Sequence, residues 1–304
     1  MENVLPFLLL LAAGQVMRRI SVFPQDTAQS LNLYVIYIAL PALILVQVPR
    51  LSLSENLLVP VLMPWLVVLF SGALVWSICR LLQWPRDITG ALLLMVPLGN
   101  TAFLGIPMVE LFYGRENVAY AILYDQFGSF LALSTYGTII LALYSGSSRP
   151  TLSMIAKKII LFPPFIALAA ALSLRASILP GWMHTMLEMT AGSLVPVVMV
   201  AIGFQLRLTM PSSEWLPLLL GLTLRLVVIP LVFIFASLLF DLTDIGTRVS
   251  LFETAMPPMV AAGALASVAG LKPRLTAAMV GFGILLSFVT LPGMHYLINL
   301  ALRG

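Results

Sequence analysis

Three ionisable residues, Asp125, Arg225 and Glu253, stand inside long apolar runs of this 304-residue sequence. A charge at the centre of a membrane helix costs about 2.5–3.5 kcal/mol on insertion scales, so such residues are kept for function or in pairs. Burial disfavours the anionic form of a carboxyl, and a second carboxylate nearby disfavours it further. Asp125, with Gln126 beside it, or Glu253 is therefore expected to carry a coupling proton or ion. Arg225 has two chemistries open to it: a static pair with one of these acids, or bidentate contact with the carboxylate of a ligand.

The main chain carries a second constellation. Pro97-Leu98-Gly99-Asn100-Thr101-Ala102-Phe103-Leu104-Gly105-Ile106-Pro107 lies within one apolar stretch, and Ala255-Met256-Pro257-Pro258 within another. Proline removes a backbone donor and its ring clashes with the preceding turn, while Pro258 forces Pro257 out of helical geometry. Helix breaks are expected at Pro97 and Pro107 and at Pro257 and Pro258. Each region lies about 10–13 residues into its stretch, near the bilayer midplane at about 1.5 Å per residue. Unwound backbone at that depth must be buried in protein or line a wet cavity. Every break ends one half-helix and begins another. It offers about half a positive charge at the new N-terminus, suited to a carboxylate, and about half a negative charge at the old C-terminus, suited to a cation.

Such residues need a frame of membrane helices. The sequence is 61% hydrophobic and 9% charged, with a mean hydropathy of +1.06, which places it in lipid and leaves no room for a soluble domain. Hydropathy read against charged and turn-forming interruptions gives ten segments: 3–19, 28–48, 56–80, 87–112, 116–144, 154–178, 183–206, 213–240, 245–270 and 273–301. The two halves repeat at a shift of 157 positions, which pairs Pro6 with Pro163, Arg50 with Arg207, Pro60 with Pro217, Asp87-Ile88 with Asp244-Ile245, and Arg115 with Lys272. Pro41 and Pro196 pair at a shift of 155. The main shift sets Asn100 opposite Pro257, so the two breaks are expected to cross. Five helices per half is an odd number. The expected fold is accordingly all-α, with inverted five-helix repeats over 1–147 and 148–304. Asp125, Arg225 and Glu253 fall opposite Phe282, Val68 and Val96, so the shared architecture does not demand their charges.

Arg18, Arg19, Arg80, Arg86, Arg149, Lys157, Lys158, Arg207, Lys272 and Arg274 gather after odd segments, against Arg50, Arg115, Arg175, Arg248 and Arg303 on the other side. The positive-inside rule then puts both termini on the non-cytoplasmic side. The net charge of +4 is scattered and forms no nucleic-acid patch. Met1, Glu2 and Asn3 precede the first apolar stretch and Arg18-Arg19 follow it, the reverse of a signal peptide, so a permanent helix is expected. A single cysteine, Cys79, excludes an internal disulfide and a multi-cysteine metal site. His184 and His295, near helix ends, are expected at the hydrated interface rather than on a metal. Trp84, Trp182 and Trp215 read as interfacial anchors. Gln15, Gln47, Gln205 and Glu188 suit hydrogen-bonding links between helices and contact with a ligand equally well.

Gly99-Asn100-Thr101-Ala102-Phe103-Leu104-Gly105-Ile106-Pro107, Leu40-Pro41-Ala42-Leu43 and Ala255-Met256-Pro257-Pro258 resemble the auxin efflux carrier family over essentially the whole chain. That resemblance implies a crossover fold similar to sodium/proton antiporters and bile acid symporters. It also implies a scaffold from helices 1, 2, 6 and 7, a transport unit from the others, a homodimer, and a carboxylate site in which Asn100 matches the family's binding asparagine. The candidate substrate-binding set is Gly99, Asn100, Thr101, Gly105, Met256, Pro257 and Pro258. Plant auxin carriers have a second asparagine in the other broken helix. None lies between Glu253 and Gly270 here, so a carboxylate smaller than auxin is expected.

The expected function is secondary transport of a small mono- or dicarboxylate driven by protons or membrane potential, without a cofactor. A sodium-coupled symporter of bile acid type, with unwound carbonyls and acidic side chains as hard-oxygen ligands, is the alternative. A ligand sensor on a transporter fold is a third reading. No nucleophile-elbow serine, His-Glu metal motif or paired acidic motif speaks for an enzyme. Short loops and compact length suit a bacterial inner membrane.

Overall fold

The computed structural model describes residues 5–50, 57–145, 151–173, 180–206 and 214–302. Arg149, Arg175, Arg207 and Arg303, and Met1 to Asn3, lie outside these residues. Helices in chain order are α1 (Leu5–Arg19), α2 (Thr27–Arg50), α3 (Leu58–Leu81), α4 (Arg86–Met95), α5 (Thr101–Tyr113), α6 (Arg115–Ser145) and α7 (Leu152–Ile160). They continue with α8 (Pro163–Ser173), α9 (Gly181–Gln205), α10 (Trp215–Leu239), α11 (Ile245–Thr254), α12 (Val260–Val268) and α13 (Pro273–Ala301). Six of them, α2, α3, α6, α9, α10 and α13, are long and apolar enough to cross a membrane. The chain is a multi-pass membrane protein.

The faces of α3 show the division of labour. Leu58, Leu62, Leu66 and Leu69 are exposed, whereas Met63, Val67, Ser71 and Val75 are buried. The outward face is apolar because its neighbour is lipid, and the inward face packs on other helices. Expected segment 154–178 needs correction. It is not one helix: Leu161 and Phe162 separate α7 from α8, because the prolines at 163 and 164 have no donor to continue α7 and sit instead in the first turn of α8.

Several helices widen locally to i→i+5 hydrogen bonding, over Val35–Ala39, Thr101–Gly105 and Leu224–Val228, each two residues before a proline: Pro41, Pro107 and Pro230. The carbonyl that a helical proline ring would strike belongs to the residue four positions earlier. Those residues, Tyr37, Phe103 and Leu226, all lie within the widened turns, so the widening relieves the clash. Pro107 is thus corrected from a break to a position inside a continuing helix, α5, just after its widened turn. Two further wide turns, Tyr124–Ser129 and Leu133–Gly137 in α6, precede no proline.

Hydrogen bonds tie α1, α2 and α9 together. Gln15 Nε2 donates to Gly203 O (2.6 Å) and Leu206 O (2.8 Å), Tyr34 OH meets Ser193 Oγ at 2.7 Å, and Arg50 Nη2 meets Glu188 Oε1 at 3.0 Å. Gln15 and Glu188 link helices. Gln47 does not, since its buried Nε2 has no partner among the described residues. His184 stands beside Arg50 and Glu188, but His295 is half-buried among Phe112, Tyr113 and Phe252 rather than hydrated.

Lys272, in the turn before α13, pairs with Asp87 in the first turn of α4 (3.4 Å) and with Glu214 at the start of α10 (3.1 Å). Both acids also complement helix N-termini. The bond to Glu214, with Asp87 beside it, holds the Lys272 ammonium above the usual lysine range. A raised lysine stabilises below that range, so the clamp is intact at neutral pH and is lost only in strong alkali. Lys272→Ala should cost about 1 kcal/mol in detergent unfolding. An unchanged midpoint would mean that the clamp contributes nothing.

Candidate functional site

The helix interruption after α4 spans 96–100, and the one after α11 spans 255–259. The two pass in contact. Asn100 N donates to Pro257 O (2.8 Å), Met259 N donates to Leu98 O (2.9 Å), and Gly99 and Pro258 form an isolated antiparallel bridge. Backbone groups that unwinding would strand are satisfied across the crossing instead. Gly99, Asn100, Thr101, Met256, Pro257 and Pro258 are thereby brought together.

Electrostatics sort the crossing into two sides. On one, Arg225, 1% exposed, sends Nε to Met256 O (2.7 Å) and Nη1 to Val96 O (3.2 Å) and Pro97 O (3.3 Å). One guanidinium therefore closes the negative C-terminal ends of α4 and α11. The expected pair between Arg225 and an acid is corrected: no ion pair joins it to Asp125 or Glu253, and its acceptors are carbonyls. Packing is tight enough that a Cβ at Gly99 would collide with Arg225 Nη2, which explains glycine at that position.

On the other side lies a cavity of about 410 Å³. Its walls include Asn100, Ala102 and Phe103 at the start of α5, and Met259 and Ala261 at the start of α12. The first N–H groups of a helix have no intrahelical carbonyl to bind, and the N-terminal turns of both α5 and α12 contribute to this wall. Asn100 and Asp125 are the polar side chains in its wall; Ile36, Leu40, Phe130, Leu133 and Phe162 are among the apolar ones. Phe130 and Phe162 stack with ring centroids 3.9 Å apart. Asn100 Nδ2 is buried with no partner among the described residues.

Asp125 is held from both sides, by Thr101 Oγ1 donating to Oδ1 (2.6 Å) and Gln126 Nε2 donating to Oδ2 (2.7 Å). Thr101, Asp125, Gln126 and Arg225 all occupy widened turns, a geometry that recurs at functional sites. Glu253 is fully buried behind the crossing, both carboxyl oxygens without a hydrogen-bond partner among the described residues. It presses on α5 where a Cβ at Gly105 would collide with Oε2. Neither Glu253 nor Gly105 lines the cavity, and neither does Arg225.

Sequence reasoning missed the apolar wall. Phe162 carried a signal in the two prolines that follow it, but Ile36 and Phe130 look like any other apolar residue of a membrane helix.

A family model for a membrane transport protein matches residues 1–295. An uncharacterized transporter of Methanothermobacter thermautotrophicus is 28% identical over 299 residues, covering 96% of each chain. Another, of Methanocaldococcus jannaschii, is 27% identical over 294 residues, covering 92% of each. A multi-pass helical chain with its buried polar groups converging where two interrupted helices cross agrees with these matches, and the chain is a membrane transporter rather than an enzyme, belonging to the membrane transport protein family, the auxin efflux carriers.

Proposed function

We propose that the protein is a proton-coupled carrier of monocarboxylates with an apolar body, built from two inverted five-helix repeats whose crossing breaks form the binding site. The observation that carries this reading is the cavity whose wall combines the starts of α5 and α12 with Asp125 and with Asn100, whose buried amide nitrogen has no partner among the described residues. Helix N-termini and a free amide donor recognise an anion without a buried positive charge. The remaining wall is mostly apolar, which suits a hydrocarbon or aromatic body. A second carboxylate would find no further donor side chain there, so dicarboxylates fit poorly.

Protons suit the site better than sodium. The carbonyls at the half-helix C-termini, natural ligands for a hard cation, already receive Arg225. Asp125 is the acid in the cavity wall. With the substrate carboxylate at Asn100, two like charges would share one desolvated space, so substrate and proton enter together. The hydrogen bonds among α1, α2 and α9 support a scaffold against which the crossing unit moves.

Ligand-induced thermal stabilisation tests the substrate class. Monocarboxylates with an apolar body should raise the unfolding temperature, by about 2.7 kcal/mol of stabilisation at a hundredfold excess over Kd, and malonate and malate should not. Stabilisation by malonate alone would refute the apolar-body reading. Asp125→Asn should retain substrate exchange yet lose pH-driven accumulation at least about tenfold. Undiminished pH-driven accumulation would remove Asp125 from coupling.

A further inference from the structure

Away from the crossing, a pocket of about 340 Å³ opens between the end of α3 and the start of α4, lined by Trp76, Arg80, Gln83, Trp84, Arg86 and Tyr144. Its charge is one-sided. Arg80 lies over the Trp76 ring, 5.1 Å from the centroid, and donates to no carboxylate or carbonyl among the described residues. Arg86 lies over Tyr144 at 5.5 Å and spends one Nη2 bond on Leu143 O at 2.7 Å. Asp87, the acid next in sequence, is engaged by Lys272 and by the Ile88 N–H.

A guanidinium held over an aromatic face by cation–π attraction spends none of its N–H groups on the ring centre and keeps them for an oxyanion. Two such groups in one pocket match the oxygens of a phosphate. Depth selects the source of that phosphate. Arg80 occupies the last turn of the membrane-crossing helix α3, beside Leu81 and Leu82, which are 82% and 45% exposed. Exposed leucines and tryptophans at a helix end belong to the headgroup boundary, where a lipid phosphate sits and acyl chains cover the leucines. Basic pockets at that level bind anionic headgroups. We infer that this pocket is a binding site for the phosphate of an anionic phospholipid, separate from the transport site.

Native mass spectrometry of the full-length protein, delipidated and titrated with phosphatidylglycerol or phosphatidylcholine, tests it. The wild type should retain phosphatidylglycerol in preference to phosphatidylcholine, and Arg80→Gln should weaken that retention about fivefold. Arg80→Lys should keep part of it, and Arg80→Glu should abolish it. Arg80 is exposed and hydrogen-bonds nothing else described, so these variants should fold with unchanged unfolding midpoints. Equal retention by wild type and both the Gln and Glu variants would overturn the site. Displacement of the lipid by millimolar inorganic phosphate at the lipid's own affinity would overturn its assignment to lipid and make it an aqueous anion site.

Discussion

Arg225→Gln should abolish transport and lower stability by roughly 3–5 kcal/mol, the largest effect expected of any single substitution in the protein. The guanidinium is the shared donor for Met256 O, Val96 O and Pro97 O, at a depth where lipid offers no replacement. Glutamine reaches too short a distance to serve acceptors from two chain segments, so at least two carbonyls lose a charged partner and each costs about 1–3 kcal/mol. The half-helix C-termini then repel each other with nothing between them. Arg225→Lys should be intermediate, retaining charge without the planar fork. Detergent unfolding and proteoliposome uptake read the two effects separately. A stable, fully active glutamine variant would mean that the crossing is held by its backbone bonds alone.

Asn100 carries the second large effect, and it should fall on affinity rather than on folding. Its backbone N–H bonds Pro257 O and its carbonyl accepts from Gly105 N (3.0 Å), bonds that alanine or aspartate can keep. The side-chain Nδ2 has no partner among the described residues and is the donor left for a substrate. Removing a hydrogen bond to a charged group costs about 1.5–3 kcal/mol, so Asn100→Ala should weaken substrate binding about 10- to 150-fold. Asn100→Asp should weaken it further, since it places a second anion beside Asp125 and the substrate. Unfolding midpoints should stay close to wild type. Unaltered affinity in the alanine variant would place the substrate elsewhere.

Much of the helical frame was legible because lipid imposes length and composition directly. Expected segment 273–301 is the helix Pro273–Ala301, and 213–240 contains Trp215–Leu239. The interruptions were legible because consecutive prolines, and proline with glycine and asparagine, leave few helical solutions. What escaped has physical causes. A hydropathy window averages across a two-residue hinge, so the α7–α8 break at Leu161-Phe162 was smoothed away. Pro107 looked like a break because a widened turn has no residue signature of its own, although Pro41, Pro107 and Pro230 all follow one. Arg225 was matched with acids because side chains have letters and carbonyls do not. The wall made by Ile36, Phe130 and Phe162 depends on helix rotation, which apolar residues on a lipid-facing helix leave undetermined.

The most direct test of the central claim is uptake of labelled carboxylates into proteoliposomes under an imposed pH gradient or an imposed sodium gradient, with Asn100→Ala and Asp125→Asn in parallel. Accumulation of an apolar-bodied monocarboxylate driven by protons, indifferent to sodium and lost in both variants, is the predicted result. Sodium-driven accumulation, or proton-driven accumulation that survives both substitutions, would contradict it.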